Sequence, residues 1–354
     1  MFTAKPAHRS KSVLVGLAAS LLAACSPLPE AVDTARYVPL SLAPAGFAGV
    51  KDRRADFRAV FCTEERDDGT QCAGALRRFR DEGVAISLPA IDPSHRGDYR
   101  VAVALGVGWD CVREFIDESA LPTAGLRKLG FDTQLIEVEG LSSSERNAEI
   151  VSNTLMDDLT DLRPLILIGY SKGANDIMVA LERYPQLADR TAAFISVAGA
   201  IGGSPVAAND NGRTEKLLHF SPYGDCGNGD GLAMESLRPV ERHAWLKDHL
   251  PLPVPAYSMI TAPEPARVSP ALRSPYKVLG VVHPLNDGAL LHWDQLLPGS
   301  TLLGYANADH WAVSIPIDTS RVPFGKFAVV NDYERVELWE SILDFVITDL
   351  KTKP

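Results

Sequence analysis

Short apolar runs alternate with amphipathic stretches through most of the chain. Two of these runs, Tyr99–Leu105 and Leu165–Ile168, contain β-favouring residues with few or no polar breaks, which is typical of strands that a parallel sheet buries on both faces. The same pattern predicts further strands and intervening helices. The strands are at Phe57–Phe61, Phe131–Val138, Thr191–Val197, Ala256–Ala262, Tyr276–Val282 and Ser300–Ala306, and the helices are at Ala73–Asp81, from Ser142, at Ala174–Tyr184 and at Tyr333–Leu350. The alternation predicts an α/β domain with a mostly parallel sheet flanked by helices.

Residues 200–255 interrupt this alternation. They contain glycine- and aspartate-rich turns, several prolines and one helical piece, Met234–His249, which Pro239 interrupts. Insertions of this kind commonly form a cap over the mouth of a binding site. We therefore expect one domain over residues 57–354, with residues 200–255 inserted as a cap or lid.

The first 24 residues are predicted to be an export signal peptide. Three basic residues precede an apolar run, residues 13–22, which is too short to span a bilayer. The run ends in Leu-Ala-Ala-Cys, which resembles the lipobox of bacterial lipoproteins, whose cysteine is acylated and becomes the new N-terminus. An ordinary secretory signal cleaved near Ala24 is the alternative. The resemblance implies a protein of the bacterial cell envelope that is anchored to the membrane by lipid on Cys25.

Residues 25–56 have the composition of a tether, because they are rich in proline and show little periodicity. The net charge is −10, and removing the signal, which carries three positive charges and no negative one, brings it to −13. An acidic body repels phosphate backbones, so we expect no nucleic-acid partner. After the signal no segment reaches 18 uninterrupted apolar residues, so lipid at Cys25 is the expected link to the membrane.

Four cysteines remain besides Cys25. An even number in an exported chain indicates disulfides, and three pairings are possible. The pairing of Cys62 with Cys72 is favoured because it closes a short polar loop, and it leaves Cys111 and Cys226 for each other. No C-x-x-C pair or clustered histidines indicate zinc, and the aspartate-rich turn lacks the spacing of an EF-hand. We expect neither a metal nor another cofactor.

The stretch Gly169-Tyr170-Ser171-Lys172-Gly173 matches the pattern G-x-S-x-G between a predicted strand and a predicted helix. In that context the serine occupies a sharp turn, where side chains at the glycine positions would collide with neighbouring backbone. The free amides at the start of the helix then face any anion formed at the hydroxyl. Ser171 is therefore the predicted nucleophile.

A serine hydroxyl needs a base to accept its proton and an acid to orient that base. Downstream of Ser171 the chain offers Asp287, in an Asn-Asp-Gly turn, and then His310, directly after a predicted strand. Asp294 and Asp309 remain alternatives for the acid. Over residues 99–350 the chain thus resembles the esterases and lipases of the α/β-hydrolase fold, which have the order serine, acid, histidine.

The resemblance implies a serine hydrolase that cleaves carboxylic esters, with a small-molecule or lipid ester as substrate. It also implies an oxyanion hole made by the amide of Lys172 and by an amide in Gly106-Val107-Gly108-Trp109, with Val107 preferred and Trp109 as the alternative. The His-Gly pair usual in this loop is absent. A true lipase, an acyltransferase, or a lipid-anchored binding protein on an inactive scaffold are the competing functions. The cap lacks a long apolar amphipathic helix, which favours short or medium esters.

Overall fold

The computed structural model describes residues 48–62, 71–86, 91–157, 160–208, 229–319 and 333–352. The predicted signal peptide, Cys25 and most of the predicted tether lie outside these ranges, as does the part of the insertion from 209 to 228. Among the described residues, no helix is both long and apolar enough to span a membrane.

Strands and helices alternate along the chain as the apolar pattern predicts. The strands are β1 (Lys51–Asp52), β2 (Arg100–Ala104), β3 (Asp132–Ile136), β4 (Leu165–Tyr170), β5 (Thr191–Val197), β6 (Ala256–Thr261) and β7 (Thr301–Ala306). The α-helices are α1 (Arg54–Phe61), α2 (Gln71–Ala75), α3 (Trp109–Val112), α4 (Pro122–Lys128), α5 (Ser144–Met156), α6 (Lys172–Arg183), α7 (Pro185–Arg190), α8 (Pro205–Ala208), α9 (Pro239–His249), α10 (Arg273–Val282) and α11 (Arg335–Thr352).

All neighbouring strands of the sheet are parallel, in the order β1-β7-β6-β5-β4-β2-β3. The chain runs outward from β2 to β3 and then returns to the other side of β2 to form β4. Ala104 at the end of β2 pairs with Gly169 near the end of β4, so the loops that follow these two strands begin side by side. Ligands of open parallel sheets bind at such a reversal, beyond the carboxyl ends of the strands.

Successive residues of a strand point to opposite sides of the sheet. Because the central strands are apolar at successive positions, both faces of the sheet are apolar. In β4, Ile166 and Ile168 pack with one core cluster, and Leu165 and Leu167 pack with the other. Helices α1, α4 and α11 contribute to the first cluster, and α5, α6 and α7 contribute to the second. The result is a three-layer α/β-hydrolase fold, as the sequence predicts.

Two of the strand predictions are wrong, because the segments concerned form helices. Phe57–Phe61 lies in α1, where Phe57, Val60 and Phe61 are buried at the i, i+3, i+4 spacing of a helix. Tyr276–Val282 lies in α10, a helix of which only Leu279 is buried. The β-branched residues of this segment therefore misled the prediction, since position in the fold overrides their propensity.

Three predicted boundaries also need correction. The tether ends before residue 51, because β1 pairs with Thr301 and Leu302 of β7. The helix predicted at Ala73–Asp81 ends at Ala75. The helix predicted from Ser142 begins at Ser144, and its cap is Ser143, one position later than expected, which accepts a hydrogen bond from the Arg146 amide.

The cysteines follow the favoured pairing as far as the described residues extend. Cys62 and Cys72 form a disulfide with their Cα atoms 5.4 Å apart. Cys111 in α3 is also disulfide-bonded. Cys226 lies outside the described residues, so its pairing with Cys111 stays a prediction.

The described part of the insertion is attached at the carboxyl edge of the sheet. Ser204, just before α8, donates from Oγ to the carbonyl of Ala289 at 2.7 Å. Asp230, at the other side of the gap, accepts a 2.8 Å hydrogen bond from the Ser143 amide at the start of α5. The insertion therefore contacts the loop after β3 and the segment between α10 and β7.

Candidate active site

Ser171 occupies the sharp turn between β4 and α6. Its backbone has φ 56° and ψ −127°, a sparsely populated conformation for a residue with a side chain. The Ser171 carbonyl accepts hydrogen bonds from the amides of Ala174, at 3.2 Å, and Ala200, at 3.0 Å. These bonds hold the turn in place, and the serine side chain is partly exposed at the top of the sheet.

The glycines of the motif are required by close backbone contacts. A methyl group at Gly169 would lie 2.6 Å from the nitrogen of Ala174, and one at Gly173 would lie 2.7 Å from the carbonyl oxygen of Leu105. Contacts this short do not occur for real Cβ atoms, so neither position accepts a side chain without a backbone shift. The prediction made from the motif is confirmed in this respect.

His310 bridges Ser171 and Asp287. Its Nε2 lies 2.9 Å from Ser171 Oγ, and its Nδ1 lies 2.8 Å from Asp287 Oδ2. A carboxylate can only accept a hydrogen bond, so Nδ1 carries the proton and Nε2 is left with a lone pair toward the serine hydroxyl. The imidazole is thus oriented to take the proton from Ser171 Oγ.

Asp287 is fully buried and surrounded by donors. Its Oδ2 accepts hydrogen bonds from Thr261 Oγ1 at 2.6 Å and from Gln295 Nε2 at 3.3 Å, in addition to the imidazole. Its Oδ1 accepts from the amides of Ala289, at 2.9 Å, and Leu290, at 2.7 Å. These donors compensate for the lost hydration of the carboxylate and fix its direction.

The two alternative acids do not contact the imidazole. Asp309 accepts hydrogen bonds from the amides of Ser269, Trp311 and Ala312, so it stabilises the turn around His310. Asp294 is buried, and its Oδ2 has no hydrogen-bond partner within the described ranges. Burial raises the pKa of both carboxyls, and that of Asp294 lies well above its usual value.

Tyr170 anchors the backbone of His310. Its hydroxyl, which is buried, donates a 2.6 Å hydrogen bond to the His310 carbonyl, and the two rings lie 5.3 Å apart. The amide of His310 donates to the Asp287 carbonyl at 3.0 Å. Burial raises the pKa of Tyr170 well above its ordinary value, so the hydroxyl keeps the proton that this bond requires.

Two backbone amides are available for an oxyanion beside Ser171. The amides of Val107 and Lys172 donate to no acceptor among the described residues, whereas the amide of Trp109 donates to the Gly106 carbonyl at 3.3 Å. A methyl group at Gly106 would lie 2.8 Å from Ser171 Cβ and 3.7 Å from the Lys172 nitrogen. The loop after β2 therefore passes directly over the serine, and Val107 rather than Trp109 has the free amide.

Sequence reasoning missed the residues that support the acid. Thr261 is the last residue of β6, and Gln295 lies eight positions after Asp287 in a short 3-10 helix. Neither belongs to a motif, and only the fold brings them to the carboxylate. No periodicity or spacing in the sequence could have identified them.

Solved structures with similar folds were found, although no protein-family model and no curated protein sequence matches the chain. A metagenomic carboxyl esterase is 32% identical, with a TM-score of 0.79, over 88% of this chain and 97% of its own. A Staphylococcus hyicus lipase is 12% identical, with a TM-score of 0.54, over 75% of this chain and 99% of its own. The mature form of a Bacillus licheniformis lipase is 17% identical, with a TM-score of 0.51, over 73% and 96%. The two lipases share the fold at low identity.

The contact between Gly106 and Ser171 gives a testable prediction. Gly106→Ala places a methyl group against the Ser171 side chain and displaces either the serine or the loop over it. Since a shift of about 1 Å at a reacting group costs on the order of 10²-fold in rate, we expect kcat for an activated ester to fall by about that factor.

Gly97→Ala is the matched control, because a methyl group at Gly97 would meet no atom within 4 Å and its φ is not in the left-handed region. We expect it to keep the wild-type kcat. Equal kcat values for the two variants would show that the loop does not lie against the serine.

Proposed function

We propose that this chain, which belongs to the carboxyl esterases of the α/β-hydrolase fold, cleaves ester bonds through an acyl-enzyme formed on Ser171. The observation that supports this most directly is the continuous hydrogen-bonded line from Ser171 Oγ through the His310 imidazole to Asp287. In this line each group lies within hydrogen-bond distance of the next, in the order that nucleophilic catalysis needs.

In the proposed mechanism, Ser171 Oγ attacks the carbonyl carbon of the ester while His310 Nε2 accepts the hydroxyl proton. Asp287 stabilises the imidazolium that forms. His310 then returns the proton to the departing alcohol oxygen, and the acyl group remains on Ser171. Water attacks the acyl-enzyme through the same imidazole and releases the carboxylic acid.

The negative charge of the tetrahedral intermediate is proposed to rest on the amides of Val107 and Lys172. Both are unpaired among the described residues, and Lys172 is the first residue of α6, where the helix dipole adds positive potential. Preorganised donors of this kind stabilise charge that develops in the transition state and need no reorganisation during the reaction.

The insertion supports a preference for short or medium acyl chains. Its residues Ala207, Met234 and Leu237 form an apolar cluster with Leu290 of the acid loop, and Val107 packs against that cluster. The space beside the oxyanion loop is therefore partly filled by the cap. The described cap helices are also short, and α9 buries only Pro239, Arg242 and Leu246, unlike the long apolar lid of an interfacially activated lipase.

We further propose that the protein is held at a bacterial membrane by lipid on Cys25, as the lipobox-like sequence indicates. Cys25 lies outside the described residues. With a net charge of −13 after removal of the signal, the body of the protein offers no electrostatic attraction to an anionic surface, so a lipid anchor would have to supply the membrane affinity.

Ser171→Ala tests the nucleophile. We expect kcat for p-nitrophenyl acetate to fall by about 10⁴- to 10⁶-fold, since removing the nucleophile leaves only the binding and oxyanion contributions. A fluorophosphonate probe should label the wild-type protein and not the variant. Undiminished turnover by Ser171→Ala would exclude the proposed mechanism.

A matched pair of substitutions separates the proposed acid from its buried neighbour. Asp287→Asn should lower kcat by about 10⁴-fold because it changes the tautomer of His310. Asp294→Asn, which has nearly the same shape and does not contact the imidazole, should leave kcat within about 2-fold. The reverse result would assign the role to Asp294.

A series of p-nitrophenyl esters from acetate to palmitate tests the size preference. Because cap residues occupy the apolar space beside Val107, we expect kcat/KM to peak at short or medium chains and to show no jump above the micellar concentration. Highest rates on long chains, with activation at the micelle surface, would identify a true lipase instead.

Cys25→Ser tests the anchor. The wild-type protein, expressed with its own signal, should fractionate with membranes, and the variant should not, because serine cannot form the thioether to lipid. Cys62→Ser is a control that removes a disulfide-bonded cysteine outside the lipobox-like sequence and should leave fractionation unchanged. A soluble wild-type protein would indicate an ordinary secretory signal.

A further inference from the structure

Lys172, whose backbone amide is proposed to bind the oxyanion, also has a buried side chain. Its Nζ lies 2.6 Å from Asp176 Oδ1, one helical turn later, and both side chains are 1% exposed. Burying an ion pair has a large desolvation cost, which is compensated only when further hydrogen bonds complete the pair. The fully buried charges directly beneath the oxyanion site therefore need an explanation beyond fold stability.

The second oxygen of Asp176 continues the contact to a neighbouring helix. Asp176 Oδ2 accepts a 2.8 Å hydrogen bond from Asn147 Nδ2, and Asn147 is 1% exposed in α5. Asn147 also forms two hydrogen bonds to the backbone of Glu139. Its Oδ1 accepts from the Glu139 amide at 3.1 Å, and its Nδ2 donates to the Glu139 carbonyl at 3.0 Å. The turn at Ser171 is thus connected to the loop after β3.

From that loop the connection reaches the loop after β2. The carbonyl of Gly140 accepts a 3.1 Å hydrogen bond from the amide of Gly108, the residue after Val107. The two backbones are in close contact there: a methyl group at Gly140 would lie only 2.7 Å from the Gly108 nitrogen. β2 ends at Ala104, so sheet hydrogen bonds do not extend to Val107, and the contact with Gly140 supports this loop beyond the sheet.

We propose that Asp176 and Asn147 are positioning residues, which hold the amides of Lys172 and Val107 at the spacing that an oxyanion requires. The ion pair sets the first turn of α6, Asn147 ties it to the Glu139–Gly140 backbone, and Gly140 sets the position of Gly108. Donors fixed in this way are complementary to the tetrahedral intermediate more than to the ester. The inference rests on the proposed role of Ser171 and adds to it two residues that touch neither substrate nor reacting atoms.

The test compares substrate turnover with binding of a tetrahedral mimic. An alkyl trifluoromethyl ketone accepts Ser171 Oγ at its carbonyl carbon, the serine proton passes to His310, and the resulting oxyanion occupies the proposed hole. For Asn147→Leu, which keeps the branched shape, we expect kcat to fall about 10- to 100-fold with KM changed less than about 3-fold. The inhibition constant of the ketone should rise by a factor similar to the fall in kcat/KM.

A second variant protects the test against misfolding. Lys172→Met combined with Asp176→Leu replaces the ion pair with apolar residues of similar volume, an exchange that buried pairs often tolerate. It should fold, keep a backbone amide at position 172 that the ion pair no longer positions, and show the same joint loss in kcat and ketone binding.

Asp344→Asn is the matched control. Asp344 forms a buried ion pair with Arg96, at 2.9 and 2.6 Å, in a hydrogen-bonded set that also includes Glu340. It lies on the opposite face of the sheet, in α11, so we expect a lower Tm and unchanged kinetics. If the Asn147 and Lys172–Asp176 variants also lose only Tm, the network is structural and the inference is overturned.

The outcome also separates this inference from the proposed function. An active wild-type enzyme whose Ser171→Ala variant is inactive keeps the proposed function whatever the network variants do. A wild-type protein that hydrolyses no ester and is not labelled by fluorophosphonate would overturn both.

Discussion

The strained backbone at Ser171 is the constraint on which the rest of the site depends. Holding a residue other than glycine in this region of positive φ costs on the order of 1–3 kcal/mol of conformational free energy. The conformation persists here because the elements on both sides of Ser171 fix the direction of the backbone. β4 before it is entirely buried, α6 after it starts at once, and glycines at 169 and 173 let both elements approach β2 and the Ser171 turn. The carbonyl of Ser171, which the strained turn directs inward, is satisfied by two amides. Relieving the strain would require breaking those contacts in the centre of the sheet.

The imidazole depends on a different kind of constraint, the burial of one carboxylate with a complete set of donors. Asp287 and Asp294 lie only seven residues apart and are both buried. Asp287 has side-chain and backbone donors on both oxygens, whereas Asp294 Oδ2 has no hydrogen-bond partner within the described ranges, and burial raises the pKa of Asp294 well above the usual value. Of these two carboxyl groups, the one with donors on both oxygens is therefore the one that contacts His310. Thr261 and Gln295 make that difference, although neither reacts.

Much of this arrangement could be predicted from the sequence, and the failures have physical causes. The buried strands and the turn at Ser171 carry local signals, because both depend on residues adjacent in the chain. Asp287 and His310 could be predicted from chain order and turn type. The supporting donors Thr261 and Gln295 could not, since their role exists only after the sheet assembles. The strand prediction for residues 276–282 failed because the β-branched residues there favour a strand, whereas the segment forms a helix at the surface.

The site also divides into parts that tolerate change differently. Ser171 and the loop over it are held by strand ends and by glycine contacts that leave no space for a methyl group, so substitutions there alter the reacting geometry itself. The insertion contacts the same edge through a few side chains, including the Ser204 hydrogen bond to Ala289 and the cluster around Met234 and Leu237. These contacts fall on the loop whose Ala289 and Leu290 amides hold Asp287. In the proposed function, the sheet edge therefore carries the reaction chemistry, and the described cap residues packed beside Val107 limit the size of the acyl group.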